Sequence, residues 1–194
     1  MALGEHPERV DKLIYLDSGY DWSAPEFFKP FEQMLVTVAP VEAELASLDA
    51  YRAWFRTAWL GKAAWSDGLE GDLRAIAQPD AGGRLHPVPT EKVFAANLAA
   101  IEAWSRDYRK VRAPALALYA PISFPEHDDA ARLEKARAFE RKTMAPFRRA
   151  SIERLRREKR GGVKVKELAG RTHMSIGVEK PDELASIVRD FLAP

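Results

Sequence analysis

The chain has 194 residues, 46% hydrophobic and 30% charged, a globular mixture long enough to bury a core. Thirty Lys+Arg against 29 Asp+Glu leave a formal charge of +1, which excludes a chain-wide attraction to nucleic acid or to a membrane surface. There is no cysteine, so disulfides, thiolate metal sites, iron–sulfur clusters and cysteine nucleophiles are excluded. No apolar run approaches the ~20 residues of a bilayer span, and the opening MALGEHPERV lacks a secretory signal pattern. A cytoplasmic location is the matching expectation.

The length is about 1.3 times that of a usual domain, so one domain with a large insertion or two small domains are expected. The chain divides into three zones, 1–22, 23–111 and 112–194. In the first, Met1 to Glu5 reads as the tail of a helix, and His6-Pro7-Glu8-Arg9 as a breaker. Val10 to Leu16 reads as a strand. The unalternating run Leu13-Ile14-Tyr15-Leu16 predicts cover on both faces, as in a parallel sheet. Asp17-Ser18-Gly19-Tyr20-Asp21 closes it with turn residues.

The second zone reads as helices joined by Pro/Gly loops. All five tryptophans, Trp22, Trp54, Trp59, Trp65 and Trp104, lie in it or at its border. Ser47 caps a predicted helix with Leu48, Tyr51, Phe55 and Ala58 at helical spacing. Thr90 caps another, with Phe94, Leu98, Ile101, Trp104 and Tyr108 along one face. Ala81 to Pro87 reads as a loop. Aromatics at this spacing usually form core, and their concentration predicts a unit that covers an apolar cavity.

In the third zone Ala115-Leu116-Ala117-Leu118-Tyr119 reads as a second buried strand. A charged helix follows from about Asp128, with Pro146 expected to break or kink it, and runs to about Arg160. Gly161-Gly162 ends it as a C-cap. Val163 to Leu168 alternates and reads as a half-exposed strand near a sheet edge. Pro181 opens a last helix whose buried stripe is Leu184, Ile187, Val188, Phe191 and Leu192. Strands alternating with helices predict a parallel α/β sheet with right-handed crossovers. Sites in such sheets collect at the C-terminal strand ends. Those ends hold Asp17 with Asp21, the segment Pro121 to Asp129, and the loop with His173.

Three stretches resemble the C-terminal portion of the α/β-hydrolase superfamily. MALGEHPERVDKLIYLDSGYD resembles the helix after the nucleophile elbow and the strand that follows. VRAPALALYAP resembles the next strand, and VKELAGRTHMSIGVEKPDELASIVRDFL the last strand, the histidine loop and the final helix. The last stretch is the most specific. The resemblance implies a partial hydrolase fold: a mostly parallel three-stranded sheet remnant with flanking helices. Its core would be residues 1–22 and 112–194, with 23–111 a helical cap insertion. It implies Ser–His–acid acyl transfer on small, apolar, ester-like substrates, with no cofactor. The family's G-x-S-x-G elbow does not occur in the sequence, so the nucleophile and early strands are expected to lie upstream of Met1. An aspartate nucleophile, as in dehalogenase or epoxide hydrolase relatives, stays open.

Within that comparison His173 is the base, because imidazole exchanges protons near neutrality. The acid is sought after the first strand, where the Asp17/Asp21 pair is preferred and Asp21 offers the longer reach, or after the second, at Glu126, Asp128 or Asp129. Asp128 and Asp129 also suit a helix N-cap. Ser18, Ser123 and Ser175 sit on no elbow. His6, His86 and His127 lack ligand spacing, so no metal site is read. Arg141 to Arg160 holds nine Lys/Arg against Glu153 and Glu158, and a solvated helix face is preferred there to nucleic-acid binding. Little or no hydrolase activity is expected from these residues alone. The open first strand is expected to favour self-association or a noncatalytic interaction role through the sheet edge or the aromatic cap.

Overall fold

The computed structural model describes residues 7–60, 64–87, 91–103, 107–123 and 129–193. Met1 to Glu5, His6, Thr90, Trp104, Glu126, His127 and Asp128 lie outside them. A 3₁₀ turn, Pro7–Arg9, precedes β1, Leu13–Leu16. Then come α1 (Pro25–Val38), a 3₁₀ turn at Glu42–Leu45, α2 (Leu48–Phe55) and a π-turn at Arg56–Leu60. They are followed by α3 (Asp67–Ile76), β2 (Ala77–Pro79), β3 (Leu85–Pro87) and α4 (Glu91–Ala103). A 3₁₀ turn at Tyr108–Lys110 leads into β4 (Ala115–Tyr119). Next are α5 (Ala130–Phe139), a π-turn at Glu140–Met144, α6 (Ala145–Glu158), β5 (Val163–Glu167) and α7 (Pro181–Leu192).

The main sheet has the order β1-β4-β5 and both pairings are parallel. Leu13 stands opposite Ala115 and Leu16 opposite Leu118. Ala115 stands opposite Val163 and Tyr119 opposite Glu167. This is a partial α/β fold of the expected kind. β1 is shorter than Val10–Leu16 because its first ladder bond, Leu13 N to Pro114 O, forms where β4 itself begins. All five residues of β4 are buried, as its unbroken apolar run requires. The cover predicted for both faces of β1 fails at Leu16, which is 40% exposed. β5 is the alternating edge strand that its sequence describes.

The sheet is covered on two sides. On one, Tyr15, Ala115, Ala117 and Tyr119 pack with Phe27 and Met34 of α1, Phe139, Met144, and Ile152 and Leu155 of α6. On the other, Leu116, Leu118, Leu168 and Ile176 pack with Ile14 and with Leu184, Ile187 and Phe191 of α7. The α7 stripe is half-buried rather than buried, and Leu192 is exposed. Burying one Leu or Phe side chain contributes about 1.5–3 kcal/mol, so the thicker α1/α5/α6 side contributes more. Lys12 Nζ donates to the carbonyls of Phe191, at 3.1 Å, Leu192, at 2.9 Å, and Ala193, satisfying the last turn of α7.

The charged helix starts where the cap reading placed it. Asp129 is the N-cap of α5 and its side chain accepts from Ala131 N and Arg132 N. Pro146 does not break the helix. It comes just after the π-turn, and Met144 before it is still helical (φ −70°, ψ −44°), so the helical run continues through it. The glycines have separate jobs. A Cβ on Gly161 would lie 1.7 Å from Arg112 O, and Gly162 has φ +74°. Part of the basic segment is spent on contacts within the fold. Arg148 pairs with Glu140, Arg154 with Asp21 and Glu158, and Arg141 with Glu134. Lys159 donates to the Val111 and Ala113 carbonyls, and burial pushes its pKa down.

A second cluster joins Tyr51, Trp54, Ala58, Leu73, Ala77 and Leu85, with Phe55, Trp59 and Trp65 against it. Ser47 caps α2 by accepting from Ala50 N, as predicted. Ala81 to Pro87 is not simply a loop, because β2 and β3 pair antiparallel. Asp80 Oδ1 accepts from Gly82 N and Arg84 N, Gly83 has φ +81°, and buried Leu85 seats the hairpin. The stripe predicted for α4 is also corrected. Phe94 is exposed, Leu98 and Ile101 are half-buried, and Tyr108 is buried on its own 3₁₀ turn against Tyr15. Among the described residues no helix is long and apolar enough to cross a membrane.

Candidate active site

Asp17 follows β1 directly. Its amide still pairs with Leu118 O at 2.8 Å, while its φ of 43° turns the chain away from the sheet. Asp tolerates this left-handed conformation better than bulkier residues do. The turn places the carboxylate inside the protein, at 1% exposure. A buried charge needs donors in place of water, and Asp17 has three. Oδ1 accepts from the Tyr20 hydroxyl at 2.8 Å and from Ala120 N at 3.1 Å. Oδ2 lies 2.7 Å from His173 Nδ1. A carboxylate only accepts, so this contact is a hydrogen bond when the imidazole carries a proton on Nδ1. Burial, Asp17's charge and Asp17's hydrogen bond all push the Tyr20 phenol far up, so it stays a donor.

The loop after β5 is held from several sides. Thr172 bridges to Ile122, and His173 N donates to Ile122 O at 3.1 Å. Thr172 N donates to Ser175 Oγ and Ser175 N returns the bond to Thr172 Oγ1. Arg171, 1% exposed, donates to the carbonyls of Ile176 and Lys180 and pairs with Glu183. The Ile122 side is fixed in turn. Buried Arg148 donates to Pro121 O and pairs with Glu140, whose Oε2 accepts from Ser123 N at 3.0 Å. The imidazole is left 45% exposed.

His173 opens on a cavity of about 250 Å³ with an almost wholly apolar wall. Trp22, Phe31 and Leu35 come from the chain before and within α1, Trp59 from the first π-turn, and Phe94, Leu98 and Ile101 from α4. Phe139, Met144 and Met174 close it. The α4 residues at i, i+4 and i+7 that do not form core therefore line this space. The aromatics read from the sequence divide between core and cavity wall.

Of the two acids that follow β1, the structure brings Asp17 to His173. Asp21 instead accepts from Ser23 Oγ at 2.6 Å and pairs with Arg154. Partial burial opposes its ionisation, but Ser23 and Arg154 prevail and hold its carboxyl below the usual range. Asp129 is occupied as a cap, and Glu126 and Asp128 lie outside the described residues. Ser175 is fully buried in the His173 loop, and Ser123 borders the cavity. His86 pairs with Asp80 on the hairpin. Among the described residues no three His, Asp or Glu cluster as metal ligands. Sequence reasoning missed Tyr20 and the Arg148–Glu140 pair. The only sequence signal for Tyr20 was its place three residues after Asp17 in the same turn.

No family model and no curated protein matches the chain. Solved structures do. The crystal structure of E-2-(acetamidomethylene)succinate hydrolase overlaps 98% of this chain and 60% of its own, with TM-score 0.59 and 17% identity. Carboxylesterase CesB (YbfK) from Bacillus subtilis covers 98% of this chain and 54% of its own, at TM-score 0.49 and 14% identity. A marine microorganism esterase covers 97% and 63%, at TM-score 0.47 and 15% identity. The fold is thus a partial α/β-hydrolase fold. The chain spans about three fifths of the length of the first of these structures.

Proposed function

We propose that these residues form the base-and-acid portion of an ester-type hydrolase, with His173 as general base and Asp17 as the acid. One observation carries this reading. His173 Nδ1 meets a buried carboxylate at 2.7 Å, beside an apolar cavity at the C-terminal ends of parallel strands. In acyl transfer, Nε2 would take the proton of an attacking hydroxyl, and Asp17 would stabilise the imidazolium. The imidazolium would return that proton to the departing alcohol as the ester C–O bond breaks, and water activated the same way would then hydrolyse the acyl-enzyme, freeing the acid and the hydroxyl. The wall of Trp22, Phe31, Trp59 and Met144 suits a small apolar acyl or alcohol group. Residues 23–111, which supply much of that wall, play the part of a cap.

The sequence contains no G-x-S-x-G, so these 194 residues alone are expected to bind an ester and not to turn it over. Tryptophan emission should quench saturably with benzyl acetate, because Trp22 and Trp59 line the cavity. Trp59→Ala should weaken that quenching at least several-fold. p-Nitrophenyl butyrate should hydrolyse no faster than in buffer. No saturable quenching would defeat the cavity reading. Turnover abolished by His173→Ala would defeat the claim of inactivity.

A further inference from the structure

We propose that Tyr20 is a positioning residue for the acid, whose hydroxyl fixes the plane of the Asp17 carboxylate so that Oδ2 faces His173 Nδ1. The inference rests on the Asp17–His173 reading and adds to it a residue that never touches substrate.

Three observations support it. First, the two donors on Oδ1 come from different elements, Tyr20 from the turn after β1 and Ala120 from the end of β4. Two anchors on one oxygen stop rotation about the bond to the carboxylate. With one anchor, the group pivots about it. Second, Tyr20 cannot drift. It is fully buried, edge-on to Tyr119 at 5.2 Å, near-parallel to Phe147 at 5.7 Å and tilted against Trp22 at 4.8 Å. Third, Asp17 sits in a left-handed backbone conformation and has no helix or strand of its own to orient it. The turn that delivers the acid also delivers its brace, three residues on.

Tyr119 provides a control. It too is fully buried, packs on Tyr20, and donates to Gly19 O at 3.1 Å rather than to Asp17. Removing its hydroxyl perturbs the same core without touching the carboxylate.

The test is the tautomer of His173, read from imidazole ¹⁵N shifts at a pH where the ring is neutral. The full chain is compared with Tyr20→Phe and Tyr119→Phe. Free imidazole prefers its proton on Nε2, so release from Asp17 appears directly as that species. The wild-type protein should show essentially the Nδ1–H form. Tyr20→Phe should show a mixture with at least on the order of one tenth Nε2–H, and Tyr119→Phe should match wild type. A wild-type spectrum dominated by Nε2–H would overturn the Asp17–His173 reading itself. A wild-type Nδ1–H form that persists unchanged in Tyr20→Phe, or that Tyr119→Phe disturbs equally, would leave the dyad intact and overturn the role of Tyr20.

Discussion

Asp17 and Asp21 carry the same side chain four residues apart, and their partners separate them. Asp17 is surrounded by donors that suit a charge kept beside an imidazole. Asp21 is neutralised by Arg154, 133 positions away. Asp17→Asn keeps an acceptor for Tyr20 and Ala120 but turns an amide N–H₂ toward His173 Nδ1. It should cost about 1–3 kcal/mol through loss of the charged acceptor, and should move the His173 proton from Nδ1 to Nε2. Asp21→Asn should leave the His173 ¹⁵N spectrum unchanged. Urea unfolding and NMR on both variants check this, and a reversed pattern would reassign the acid. The family resemblance pointed to the two aspartates after β1. Which of them meets His173 was not legible, because that depends on Arg154 and Ala120, which only the fold brings near.

At the scale of elements, α2 and α3 are clasped by Arg52 and Glu70. Arg52 Nε and Nη2 donate to the two Glu70 oxygens at 2.7 and 2.8 Å, and Trp65 Nε1 adds a third bond at 3.2 Å. The Arg52 hydrogen bond, opposed by desolvation and aided by Arg52 and Arg74 charge, pulls Glu70 down to about 2 from its ordinary 4.5. A carboxyl with a depressed folded pKa stabilises above its unfolded value and loses that contribution as pH falls. The clasp should therefore be fully present above pH 4.5 and fade towards pH 2. Glu70→Gln should flatten that part of the urea-midpoint curve and leave the neutral-pH fold intact. An unchanged acid limb would refute the linkage. Elements with long patterns, such as β4, α6 and α7, were readable. The hairpin was not, because three-residue strands show no period and its signal is the Asp80 side chain bonding its own turn.

For the molecule as a whole, the sheet order β1-β4-β5 puts β1 at an edge, paired only with β4 among the described residues. Exposed Leu16 lies on it, and Ile122 and Val178, on the segments that hold His173, are exposed too. An open edge with apolar neighbours invites further pairing. The protein is expected to self-associate with rising concentration, and Leu16→Lys to shift it toward monomer by light scattering. A monodisperse wild-type monomer at every concentration would remove this expectation. The layered α/β plan followed from strand–helix alternation in the sequence. The aromatic concentration also pointed to a covered apolar cavity, but not to which residues line it, because α4's apolar stripe looks the same whether it meets core or empty space.

Lys12 stitches the root of β1, the strand that Asp17 follows, to the helix that shields the far face of the sheet, across 179 positions of sequence. Peeling α7 away strips those carbonyls of their ammonium partner, bares Leu116 and Leu118, and loosens the root of β1 in one motion. Fraying of the final helix and loosening of the turn at Asp17 are therefore expected to be coupled.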